Sequence, residues 1–129
     1  MKLLLLTDHF ENWEKNVQFL KEKRGLEVEV ARSTDEAASR LRSAPPSLLL
    51  FDGSRLSADA IRAEATRLLM ANAMVNMVVI SPASDEDFHE ATEGRGILMR
   101  VSEDELPSRI DEVLGALRAV TGVSRQTGA

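Results

Sequence analysis

Leu3-Leu4-Leu5-Leu6-Thr7-Asp8 is an unbroken apolar run closed by a hydroxyl and a carboxylate. A strand covered on both faces of a sheet reads this way, because neither side meets water. The pattern returns three times. Ser47 to Phe51 ends at Asp52-Gly53, Val75 to Ile80 ends at Ser81-Pro82, and Ile97 to Val101 closes the set. One strand differs. Leu26, Val28 and Val30 alternate with Glu27 and Glu29, the mark of an edge strand with one wet face.

Helical patterns fill the intervals. Phe10, Trp13, Val17 and Leu20 recur at helical spacing, and Gly25 stops that helix. Ser33 and Glu36 form a capping box ahead of Ala37, Ala38 and Leu41, with Pro45-Pro46 as the stop. A third helix starts near Ser57 and buries Ile61, Ala65, Leu68 and Leu69. Ser84 with Asp87 opens a fourth, carrying Phe88 and Ala91 and ending at Gly94. The last presents Leu106, Ile110, Val113, Leu114 and Leu117 on one face. Its start is open between a Ser102–Glu105 capping box and a point nearer Leu106, because Pro107 would break a hydrogen bond in the longer version. Residues 1–121 thus read as one domain and 122–129 as a flexible polar tail.

Strict alternation of five strands and five helices predicts an α/β fold, a three-layer doubly wound (βα)5. The parallel five-stranded sheet takes the order 2-1-3-4-5, with the amphipathic second strand at its edge. Ligands in such sheets bind outside the carboxyl ends of the strands, at the switch point between the first and third.

Composition narrows the classes. The 129 residues are 43% hydrophobic and 29% charged, which is globular composition for one domain. Cysteine is absent, so there is no disulfide framework, thiolate metal site or cysteine nucleophile. A net charge of −5 without a basic cluster speaks against nucleic acid. The first apolar run is too short for a signal peptide or a membrane span, which makes the cytoplasm the expected location.

The strand ends carry the chemistry: Asp8, Asp52, Ser81 and Arg100. Two carboxylates, a hydroxyl and a cation converging on one crevice suit a phosphoryl-accepting site. One carboxylate attacks phosphorus, the second holds a divalent cation, and the hydroxyl and cation read the phosphorylated state.

With Leu48-Leu49-Leu50-Phe51-Asp52, Val78-Val79-Ile80-Ser81 and Leu98-Met99-Arg100 added to Leu3–Asp8, the chain resembles a response-regulator receiver domain of the chemotaxis-regulator type, with its flavodoxin-like fold, from about Lys2 to Val120. The resemblance implies Asp52 as phosphoacceptor, Asp8, Asp52 and the Ser54 carbonyl as magnesium ligands, and Ser81 and Arg100 as readers of the phosphoryl group. It implies two-component (phosphorelay) signalling rather than an enzyme of its own. The partners it implies are a sensor histidine kinase or phosphotransfer protein and a downstream protein target. It also implies homodimer contacts through the fourth helix, fifth strand and fifth helix, around Phe88, Ile97 and Arg109.

Five departures bear on that chemistry. Thr7 replaces the first of two consecutive acids, so magnesium binding is expected to be weak. Arg100 replaces a lysine, which changes reach and geometry. Val101 replaces the proline after it, Arg55-Leu56 stands where Met-Pro is usual, and Ile97 replaces the aromatic switch residue. The alternative is a pseudo-receiver, the same fold used as a non-phosphorylated interaction module. A small flavodoxin-like cofactor-binding protein is a weaker alternative, since Thr7-Asp8-His9-Phe10-Glu11 is acidic and glycine-free where a phosphate loop is needed. His9 and His89 read as solvated surface residues, Trp13 as core, and Met70, Met74, Met77 and Met99 as core packing.

Overall fold

The computed structural model describes residues 1–82 and 97–128, with side chains through residue 120. Five strands lie in one sheet: β1 (Lys2–Leu6), β2 (Glu27–Ala31), β3 (Leu48–Asp52), β4 (Met77–Ile80) and β5 (Ile97–Val101). All pairings are parallel and the order is β2-β1-β3-β4-β5, as the alternation predicts. The helices are α1 (Glu14–Arg24), α2 (Thr34–Ser43), α3 (Ala58–Ala71) and α4 (Leu106–Gly128), the last of the chain. The expected helix at 84–94, with Phe88 and His89, lies outside the described residues.

The two-residue period of the central strands divides the core. Leu3, Leu5, Leu48, Leu50, Val78 and Ile80 face α1 and α4, meeting Val17, Leu20, Ile110 and Val113. Leu4, Leu6, Leu49, Phe51, Met77 and Val79 face α2 and α3, meeting Leu41, Ile61, Ala65 and Leu68. Every residue of β3 is buried, whereas β2 shows its wet edge. Ion pairs fasten the helices on each face, Arg24 with Asp111 and Arg67 with Asp35.

Capping follows the sequence. Ser33 Oγ accepts from the Glu36 amide at 3.1 Å, while the Glu36 carboxylate reaches back to the Arg32 amide. Ser57 caps α3 through the Ala60 amide. Gly25 takes a left-handed φ of 64° at the end of α1, a conformation that favours glycine. At the last helix both readings of its start hold in part. Ser102 and Glu105 exchange both capping-box hydrogen bonds, yet the helix proper begins at Leu106. Pro107 therefore sits in the first turn, where its missing N–H costs nothing. The helix is assigned through Gly128, with Gly122 inside it, a residue that weakens a helix without breaking it as proline does.

Two expectations need correction here. Met70 and Met74 are 83% and 85% exposed rather than core. Met70 follows the inward-facing Leu68 by two residues, about half a helical turn, which turns it to the outer surface. Met77 is fully buried and Met99 partly so, as expected.

Candidate functional site

β1 and β3 are adjacent and in register, with Leu6 beside Phe51, so Thr7, Asp8 and Asp52 emerge together at the carboxyl end of the sheet. Ser81 follows β4, is 3% exposed, and donates its amide to the Val101 carbonyl. Gly53 donates its amide to Ile80 O, and a Cβ built on it would lie 2.9 Å from Ile61 Cγ1. The turn after Asp52 is thus pressed between α3 and β4.

Asp52 is the centre of the arrangement. Its side chain is fully buried, and both carboxylate oxygens are taken. Oδ2 accepts from Thr7 Oγ1 at 2.8 Å and from the Trp13 indole N–H at 2.9 Å. The same oxygen pairs with His9 Nε2 at 2.9 Å. Oδ1 accepts from the Ser54 amide at 3.1 Å and the Ser54 hydroxyl at 2.7 Å. Five donors thus meet a group with about four lone-pair sites. Burying a carboxylate is costly unless it is hydrogen-bonded, and this set compensates it.

His9 is the residue whose placement the sequence misses. It is 3% exposed, not a surface loop residue, and its ring spans the two acids. Nδ1 lies 2.8 Å from Asp8 Oδ1 while Nε2 reaches Asp52. Thr7 aims it: the Thr7 hydroxyl accepts from the His9 amide at 3.2 Å while donating to Asp52. A 3-10 turn over Phe10–Asn12 then brings Trp13 beneath the strand end. Trp13 is core, as its spacing predicts, but its N–H is also part of the site. The signal for His9 was present in Thr7-Asp8-His9. An imidazole directly follows the strand-end acid there, within reach of whatever the neighbouring strand presents.

Asp8 itself is outlying, with its side chain 77% exposed. The hydrogen bond from His9, ahead of its opposing desolvation and of the charges of His9 and Arg55, holds its carboxyl below the usual range. Glu103, in the turn after β5, is pushed up, first by burial and then by the charge of Asp52. Sequence reading passed over Glu103. Arg100 turns toward β4, donating to the Ser81 carbonyl at 2.6 Å and approaching Glu105 at 3.9 Å. On the α2 side, Thr7, Asp8, Arg32, Thr34, Arg55 and Glu64 help line a cavity of about 200 Å³ above Leu6 and Phe51.

A magnesium ion needs near-octahedral oxygen ligands at about 2.0–2.1 Å. The residues here do not fit that requirement. The oxygens of Asp52 face hydrogen donors, and the His9 ring spans Asp8 and Asp52. Among the described residues no three His, Cys, Asp or Glu side chains are grouped to hold a metal.

No family model matches the chain, and no curated protein matches it by sequence. Solved structures match its fold. A response regulator receiver domain protein (CheY-like) from Methanospirillum hungatei superposes with a TM-score of 0.70 at 17% identity, over 92% of this chain and 96% of that one. A LuxR-family two-component response regulator from Aurantimonas gives 0.73 at 18%, over 92% and 84%. The pilus assembly protein CpaE from Caulobacter crescentus gives 0.68 at 16%, over 90% and 98%. The chain therefore has the receiver-domain fold, flavodoxin-like with strand order 2-1-3-4-5. No described helix is long and apolar enough to cross a membrane.

Proposed function

We propose that this chain is a receiver-fold signalling module that works through protein contact, without phosphorylation of Asp52. The observation that carries the reading is the saturation of the Asp52 carboxylate by five internal donors. Attack on phosphorus needs a free lone pair and a cation on the incoming phosphoryl oxygens. Here the lone pairs are engaged, the side chain is shut from solvent, and a magnesium ion does not fit. Signal output then rests on a surface that is constitutively in one state. We assign it to the outer side of β5 and α4, around Ile97 and Arg109. Ile97 has no ring to swing inward, and Arg109 is tied to Glu112 at 2.7 Å and Glu105 at 3.7 Å.

The competing reading, Asp52 as an active phosphoacceptor, is favoured by the gathering of Asp52, Ser81 and Arg100 at neighbouring strand ends. Incubation with magnesium and acetyl phosphate, read by intact mass, separates the two. No added phosphoryl mass is expected. Stoichiometric labelling that disappears in Asp52→Asn overturns the proposal and restores the phosphorelay role.

A further inference from the structure

We infer that the corner where α2 and α3 end is a second contact surface of this chain, and that it takes an acidic amphipathic helix of a partner protein. The inference goes beyond the function proposed above and does not depend on it. Asp52 closes β3 at the other end of the sheet, and α4 packs on the other face.

The sequence sets the chemistry of the corner. The chain carries 21 acids, yet none falls between Ala37 and Phe51 or between Ala65 and Ser81. These stretches hold the second halves of α2 and α3 and the turns that follow them. Their cations are Arg40, Arg42 and Arg67. Arg40 pairs with Glu29 and Glu36, and Arg67 pairs with Asp35 and Glu64. Arg42 is exposed and, among the described residues, has no ion pair.

Asn72 builds the corner. Its side-chain amide donates to the Leu41 carbonyl at 3.1 Å, which fastens the turn after α3 to the end of α2 that carries Arg42. Its Oδ1 accepts from the Met74 amide at 2.9 Å, and its carbonyl accepts from the Val75 amide at 3.2 Å. Val75 is buried, whereas these bonds hold Met74 out in water. Met70, in the last turn of α3, is equally exposed. Ala44, Pro45 and Ala73 are exposed on the same two turns. Single exposed apolar side chains are ordinary, but several on one fixed corner form a patch that marks a contact.

Charge and shape choose the occupant. Methionine is unbranched and polarisable, so it moulds to the apolar face of an incoming helix. Arg42 at the rim, with no acid of its own to bind, selects carboxylates beside that face. A second copy on a two-fold axis would set Arg42 against Arg42, which repels. A membrane surface is disfavoured because residues 37–47 and 65–76 contain neither aromatic side chains nor lysine.

The probe is a fluorescein-labelled amphipathic helical peptide of Leu, Ala and Glu, paired with the same peptide carrying Lys in place of Glu. Anisotropy titrations compare wild type, Arg42→Glu, Met70→Gln/Met74→Gln and Leu56→Gln. Leu56, exposed at the carboxyl end of the sheet, is the control. All the altered side chains are exposed, so each variant is expected to fold as wild type does by circular dichroism. The acidic peptide is expected to bind wild type and Leu56→Gln alike and saturably, with NMR amide shifts at residues 41–47 and 70–76. Arg42→Glu is expected to weaken it by at least ~10-fold, because attraction at the rim becomes repulsion. The double methionine variant is expected to weaken it by at least ~10-fold, the scale of withdrawing one buried methionine side chain. Failure of the acidic peptide to bind overturns the inference, as does equal binding of the lysine peptide. Shifts confined to β5 and α4 overturn it too, since the peptide would then use the other surface. Two further outcomes replace the occupant and overturn the inference as stated: preferential binding of wild type to phosphatidylglycerol vesicles, and self-association in sedimentation that the methionine changes abolish.

Discussion

Asp52→Asn is the substitution that distinguishes a capped carboxylate from an acidic pocket. Where a buried acid sits among other acids, neutralising it relieves repulsion and stabilises the fold. Here it sits among donors, so the sign is reversed. The asparagine oxygen can replace one carboxylate oxygen. If it stays on the side of Thr7, Trp13 and His9, its NH2 faces the Ser54 amide, and two donors oppose each other. The Ser54 hydroxyl can turn to accept, but the amide cannot. A buried donor left unsatisfied costs about 1–3 kcal/mol, and each bond that loses its charge assistance weakens by roughly 1 kcal/mol. The relief of repulsion with Asp8 and Glu103 offsets part of this. A net loss of ~2–4 kcal/mol follows, large for a single substitution. With a urea m-value of about 2 kcal/mol/M, the middle of the usual range, the midpoint falls by roughly 1–2 M at unchanged m. Equilibrium urea unfolding followed by far-UV circular dichroism measures it. An Asp52→Asn protein as stable as wild type, or more stable, refutes the cap.

Gly53→Ala places a Cβ 2.9 Å from Ile61 Cγ1 and 3.3 Å from the Ile80 carbonyl, so a loss of about 1–3 kcal/mol is expected from overpacking; the paired Ile61→Val change should recover part of it in the same unfolding assay. Ser33→Ala removes the acceptor for the Glu36 amide and should cost ~1 kcal/mol, with faster hydrogen exchange confined to the first turn of α2. Glu103 titrates above its unfolded value, so its contribution to stability is present in acid and is lost as pH rises through the folded pKa. Glu103→Gln should therefore exceed wild type at neutral pH by ~0.5 kcal/mol or less, the usual surface range, and lose that advantage below the carboxylate range. A constant difference across pH would mean that Glu103 acts through packing instead.

The alternation of Leu3–Leu6, Leu48–Phe51 and Val78–Ile80 with helical periods determines the sheet, its parallel sense and its order. Burial on both faces is a property of each strand alone, and right-handed crossovers leave little choice of topology. The same local logic located Ser33, Ser57 and Gly25 at helix ends, because a cap bonds within three or four residues of itself. The meeting of Asp8 with Asp52 was also legible, since both follow neighbouring strands. What the sequence could not carry was the direction of the His9 ring. A histidine after an acid reads as solvated when only its neighbours in the chain are counted. Its burial depends on Asp52, distant along the chain but adjacent through β1–β3 pairing, and on the short turn that swings Trp13 onto the same oxygen. Met70 and Met74 differ from expectation for the opposite reason: the helical phase of Met70 turns it to the outer surface, and Met74 lies in the turn beyond Ala71. A polar side chain finds its partners in three dimensions, and only the tertiary structure decides that the ring held between Asp8 and Asp52 is one of the chain's own.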